Sequence, residues 1–202
     1  MESGQFFQYY QKVHRMEKVD LHPGFLWFLA LLCWLDTMGL FWWILLAVLL
    51  HELGHLLIIW LLGAKLQSIR LRFCDIRIDT APLSYMQEMI AAMGGPTVNL
   101  LCFLVFRQIR SDFSAVSLLL GLFNLLPIIP LDGGRFLYAS LHLFLPPKTA
   151  DLCCESVSLF LIVCLLALAL TAIFYWKAGL WPLLCILLLF ARLALEIDEE
   201  IS

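Results

Sequence analysis

From Thr37 to Ala64 the sequence carries a single Asp, Glu, Lys or Arg, and that residue is Glu52. A run of this length can cross the roughly 30 Å hydrocarbon core of a bilayer, which takes about 20 helical residues. Lipid offers no hydrogen bonds to the backbone, so the run is predicted to be a helix that satisfies its own N–H and C=O groups. A carboxylate inside such a helix costs on the order of 3 kcal/mol to insert, so Glu52 needs a compensating role.

Three further stretches, Met89 to Phe106, Phe113 to Leu131 and Ser156 to Trp176, carry no charge at all. Leu21 to Leu35 is a shorter candidate, and Ala178 to Ala191 contains Pro182 near its start. The chain is 62% hydrophobic and 14% charged, against about half and a quarter in soluble domains. The expected fold class is therefore an all-α membrane protein of about six transmembrane helices. A cleaved leader is not expected, since the first apolar run follows about 20 mostly polar residues and no small-residue cleavage site comes after it.

With six spans both termini share one side. Placing that side in the cytoplasm puts Lys12, Arg15, Lys18, Lys65, Arg70, Arg72, Arg77, Arg135, Lys148 and Arg192 inside, and only Arg107, Arg110 and Lys177 outside. That asymmetry is the one the positive-inside rule expects, and it predicts cytoplasmic N- and C-termini. The basic residues form no stripe with interleaved aromatics, so nucleic acid is not an expected partner.

Residues 1–20, with mixed charge and Phe6, Phe7, Tyr9 and Tyr10, read as an amphipathic interfacial segment. Residues 21–195 form one transmembrane domain, and 196–202 a short cytoplasmic tail. Between the second and third spans, Ile69, Leu71 and Phe73 alternate with Arg70 and Arg72. The parity then flips, with Ile76 and Ile78 flanking Arg77. This predicts a small β-hairpin turning near Cys74-Asp75, with a plain loop as the alternative. The seven cysteines form no C-x-x-C pair and read as small buried hydrophobes.

His51-Glu52-Leu53-Gly54-His55 fits H-E-x-x-H. On a helix the two histidines lie on one face, close enough to share a tetrahedral zinc ion, with Glu52 beside it. Glu52 would accept a proton from zinc-bound water and pass it to a leaving amine. A buried His/Glu hydrogen-bond network is the alternative. A catalytic zinc usually has three protein ligands plus water, and Asp132 is the candidate for the third. It follows Asn124-Leu-Leu-Pro127-Ile-Ile-Pro130-Leu, where two prolines break the helix at membrane depth. Such unwound backbone is tolerated where protein or a water-filled cavity covers it, and Gly133 and Gly134 permit close backbone approach. Helix capping by Asp132 is the other reading. His14, His22 and His142 lie outside ligand spacing and read as interfacial or capping residues.

HELGH together with N-x-x-P-x-x-P-x-D-G resembles the site-2 protease family of intramembrane metalloproteases. NLLPIIPLDGG resembles in particular its sporulation branch, the bacterial stage IV sporulation protein FB group. The resemblance implies one Zn2+ per chain on His51, His55 and Asp132, with Glu52 as general base. It also implies Asn124 near the substrate backbone or oxyanion, with an ordinary inter-helix hydrogen bond as the alternative for that residue. Gly94-Gly95-Pro96-Thr97-Val98-Asn99 is similar to the family's G-P-x-x-N segment. There Gly94 and Gly95 are expected to let the helix pack closely, Pro96 to kink it, and Asn99 to make a supporting or a plain packing hydrogen bond; Pro127, Pro130 and Gly133 are expected to support the aspartate.

Carried further, the resemblance implies regulated proteolysis of a membrane-associated protein, such as a pro-sigma factor, in a bacterial cell membrane, the outer forespore membrane for the sporulation branch. Inhibitory or scaffold membrane proteins and a homo-oligomer are the partners it suggests. The nucleotide-sensing domain common in that branch, and the PDZ domain of others, have no counterpart in this sequence. The competing class is a zinc-binding transporter or sensor using the same three donors, which would have no need of Glu52 as a base.

Overall fold

The computed structural model describes residues 19–21, 23–36, 38–72 and 75–176. Residues 1–18, with His14, lie outside the described residues, as do His22, Cys74, the expected sixth span and the tail.

A three-residue strand, β1 (Val19–Leu21), leads into α1 (Pro23–Leu35). Pro23 opens that helix, where its missing N–H removes no intrahelical bond. The turn into α2 (Phe41–Leu61) is tied by Asp36, whose carboxylate accepts from the backbone N–H groups of Met38 (3.2 Å), Leu40 (3.0 Å) and Phe41 (2.9 Å). These bonds, the one from Phe41 foremost, hold the Asp36 carboxyl below the usual carboxylate range. At the other end of α2, Gly63 adopts φ 67, the left-handed conformation that commonly terminates a helix.

β2 (Leu66–Arg72) and β3 (Asp75–Thr80) then form the antiparallel hairpin expected from the alternation, in register Ile69↔Ile78 and Leu71↔Ile76. Ser68 Oγ donates to Asp79 across it. The sheet has a third strand that the sequence did not announce: β1 pairs parallel to β2, Val19 opposite Ile69. Three residues are too few to show a period of two, so Val19 and Asp20 read as part of the polar head and Leu21 as the start of the first span.

α3 (Tyr85–Ala92) begins with a capping box, Ser84 and Gln87 each bonding the other's backbone N–H. It runs through Met93 into α4 (Gly94–Phe106). α5 (Ser111–Asn124) and α6 (Asp132–Phe144) flank the proline-containing segment, and α7 (Pro147–Trp176) is the longest helix. Among the described residues three helical stretches are long and apolar enough to cross a membrane: Phe41–Leu61, Tyr85–Phe106 and Pro147–Tyr175. α1 and α5 are shorter apolar helices. The span expected over Phe113 to Leu131 therefore stops early. At 14 residues α5 is about 21 Å long, because Pro127 and Pro130 deny the helix its donors and leave 125–131 as irregular backbone.

α2, α4 and α5 pack as a bundle, and α6 lies against α3. Small residues set the α2–α4 spacing: a Cβ on Gly54 would stand 2.6 Å from the Gly94 carbonyl oxygen, and one on Gly94 2.7 Å from that of Gly54. Backbone therefore meets backbone at that crossing, as small-residue contacts permit between membrane helices. The 125–131 segment is held from the far side by α7, where Ile128, Leu131 and Ile162 form a buried cluster and Ser158 Oγ accepts from the Ile129 N–H at 3.1 Å.

Candidate metal centre

His51 and His55 lie one turn apart on the buried face of α2 and point at the first residue of α6. Asp132 Oδ2 is 2.9 Å from His51 Nε2 and 3.2 Å from His55 Nε2, and the two imidazole nitrogens are 3.2 Å apart. Tetrahedral coordination with bonds of about 2.0–2.1 Å sets donors about 3.3–3.4 Å from one another, so this trio has the dimensions of three corners around one small divalent ion. All three residues are buried, and they are the one group of three or more potential donors of this kind found among the described residues. Leu131, not Asp132, is the N-cap of α6, so the carboxylate is not spent on capping the helix.

The sequence builds this corner in two parts. The four-residue spacing of the histidines needs only a helix. Bringing in Asp132 needs the chain to leave α5 after Asn124, turn twice at Pro127 and Pro130, and start a new helix at once. Gly133 and Gly134 make that start possible: a Cβ on Gly133 would meet the Leu126 carbonyl oxygen at 2.5 Å, and one on Gly134 the Ile129 nitrogen at 2.6 Å. The loop thus folds directly over the first turn of α6.

The outer nitrogens of the rings are also engaged. His55 Nδ1–H donates to the Ala91 carbonyl at 2.8 Å, which leaves Nε2 with a free lone pair directed at the trio. His51 Nδ1 is 3.2 Å from Asn99 Nδ2, while Asn99 Oδ1 is buried without a partner. Turning that amide over sets Oδ1 against a protonated Nδ1 and frees His51 Nε2 in the same way. The orphan oxygen therefore fits a His51 that binds metal through Nε2. Gly95 closes the roof. A Cβ there would strike both Nε2 atoms and stand 2.7 Å from His51 Cδ2, so only glycine lets α4 lie over the donors. Pro96 beside it is fully buried.

Glu52 is half-buried next to His51 on α2. Asn124 is placed differently from its companions: its side-chain amide donates to the Leu120 carbonyl one turn back, at 3.1 Å. His142 stands apart, its Nε2 3.2 Å from Asp151 and its Nδ1 donating to the Tyr138 carbonyl. Sequence reasoning missed Ala91, which acts through backbone alone, and Ser158, one of several polar residues in the first half of α7. It also missed Glu88, whose carboxylate accepts from Arg135 Nε at 3.1 Å.

Helices and donors together define a membrane protein with a candidate His–His–carboxylate metal site. The fold is shared with the solved site-2 protease of Methanocaldococcus jannaschii, with a TM-score of 0.65 at 24% identity over 85% of this chain and 87% of that one. In sequence the chain is 31% identical over 145 residues to a zinc metalloprotease of the same organism, a match covering 61% of this chain and 42% of that protein. It is 31% identical over 106 residues to a protein of Synechocystis sp. named as a candidate zinc metalloprotease, covering 45% of this chain and 28% of that one. The match thus spans less than half the length of either curated relative. No family model matches the chain.

Proposed function

We propose that this chain is an intramembrane zinc metalloprotease of the site-2 protease kind, hydrolysing a peptide bond in a membrane-associated protein. The observation that carries the proposal is the convergence of His51, His55 and Asp132 to within 3.2 Å of one another, with Glu52 on the same helix. The named activities of the two relatives and the shared fold support it.

Zinc bound to these three residues would supply a Lewis acid that acidifies water and polarises the scissile carbonyl. The chain supplies the remainder. Glu52 takes the proton of the attacking water and delivers it to the leaving nitrogen. His55 and His51 are held in their ligating tautomers by Ala91 and Asn99. The irregular 125–131 backbone lets α6 begin with Asp132 beside the two histidines. A helical substrate must be unwound before attack, and the sheet supports a way to hold the extended form, by addition of the substrate as a further strand. Glu52 weighs against a transport site, which needs no base beside its ligands.

The likeness of NLLPIIPLDGG to the sporulation branch supports a pro-sigma factor as substrate and the outer forespore membrane as location. The distribution of Lys and Arg supports cytoplasmic termini. Co-expression of the chain with membrane-tethered candidate substrates tests the core proposal, comparing wild type with Glu52→Gln and measuring zinc in both. Lost cleavage with one zinc retained is the expected result. Unchanged cleavage in Glu52→Gln, or a wild type that holds no metal, would overturn it.

A further inference from the structure

We infer that Arg135, paired with Glu88, is a positioning residue that fixes which oxygen of Asp132 faces the metal. The inference rests on the metal-centre reading above. Asp132 presents Oδ2 to the two histidine nitrogens, at 2.9 and 3.2 Å, while Oδ1 faces Arg135 Nη1 at 3.9 Å. The two oxygens of this carboxylate are therefore divided between different neighbours. Arg135 sits one turn along α6 from Asp132, so the same helix start carries the ligand and its guide. The guanidinium is in turn anchored on α3, with Nε and Nη2 both donating to Glu88 Oε1.

Several arrangements would satisfy a lone carboxylate on a flexible rotamer: monodentate through either oxygen, bidentate, or rotated out of reach. A cation beside Oδ1 selects one of them, and a cation held by a second carboxylate cannot swing in to neutralise Oδ2. Glu88 supplies that restraint because α3 is the helix that also presents Ala91 to His55. One short helix thus governs both the tautomer of a histidine ligand and, through Arg135, the rotamer of the aspartate ligand. Outer partners of metal ligands typically contribute 10–100-fold to metal affinity.

The test is made on the full chain purified in detergent, measuring zinc affinity by competition with a chelator and thermal unfolding of the metal-free protein. Arg135→Gln is expected to weaken zinc binding 10–100-fold, and Arg135→Lys to recover part of the loss, since a cation remains without the planar fork. The double variant Glu88→Arg with Arg135→Glu separates positioning from simple cross-linking of α3 to α6. It restores an ion pair between the helices but sets a carboxylate against Asp132, so unfolding should return toward wild type while zinc affinity stays low. Wild-type zinc affinity in Arg135→Gln, or recovery of both properties in the double variant, would overturn the inference. Should Arg135→Gln fail to fold, the double variant decides alone. A wild type without zinc would instead remove the metal-centre reading and this inference with it.

Discussion

Replacing Gly95 with alanine sets two well-characterised effects against each other. In a helix interior the change is favourable by about 1 kcal/mol, because alanine has less backbone freedom to lose. Here the added Cβ would stand 2.7 Å from His51 Cδ2, where carbon atoms prefer about 3.5–4.0 Å, so roughly 1 Å must be found. The rings cannot yield it freely, since their outer nitrogens are engaged by Ala91 at 2.8 Å and Asn99 at 3.2 Å. Either the rings swing or α4 retreats from α2. Overpacking of this kind costs about 1–3 kcal/mol, so the metal-free protein should lose no more than about 2 kcal/mol of stability after the helix gain. The metal site is far less forgiving, as ligand distances hold within about ±0.2 Å. We expect zinc affinity to fall at least ~100-fold, equal to about 2.8 kcal/mol. Chelator competition measures the affinity, and thermal unfolding of the metal-free protein the stability. A Gly95→Ala protein that binds zinc within threefold of wild type would show that α4 does not press on the donors, and the reasoning would fail.

Ser158→Ala leaves the partly buried Ile129 N–H without its acceptor, which should lower stability by about 1 kcal/mol; the exposed Ser156→Ala is the neutral reference in the same melting experiment, and equal behaviour of the two would refute the role. Asp36 gives a pH dependence whose sign follows from its folded pKa lying below the unfolded value: its stabilisation is present above the ordinary carboxylate range near 3.9 and is lost as the pH falls through the folded pKa. The Tm difference between wild type and Asp36→Asn should therefore be largest at neutral pH and shrink in acid, and a difference independent of pH would count against it.

Among the described residues hydropathy located the apolar helices but not their ends. Leu125-Leu126-Pro127-Ile128-Ile129-Pro130-Leu131 is as apolar as the helix before it, so only the prolines said that α5 must stop. The hairpin was legible from its alternation, whereas β1 pairs through backbone groups that leave no mark in three residues. The two histidines follow from helical geometry, but Asp132, 77 positions beyond His55, is a candidate through the need for a third donor and the proline–glycine break around it, to which the family resemblance adds weight, since spacing across a loop carries no distance. Partners that act through a backbone carbonyl, such as Ala91, or through one ordinary side chain, such as Ser158 or Glu88, have no pattern to read. Asn124 shows the converse: the motif assigns it a role at the substrate, and the described side chain bonds within its own helix.

Among the described residues α1 is attached chiefly at its two extremities. The parallel ladder of β1 on β2 fastens the chain just before it, and the Asp36 knot fastens the chain just after it. Between those buckles, Trp27 is 75% and Trp34 81% exposed, so much of the helix is left uncovered by protein. Tolerance to substitution should therefore be inverted relative to an ordinary core helix: the middle of α1 can drift among apolar residues, while its fastenings, a short polar turn and a three-residue ladder, bear the constraint.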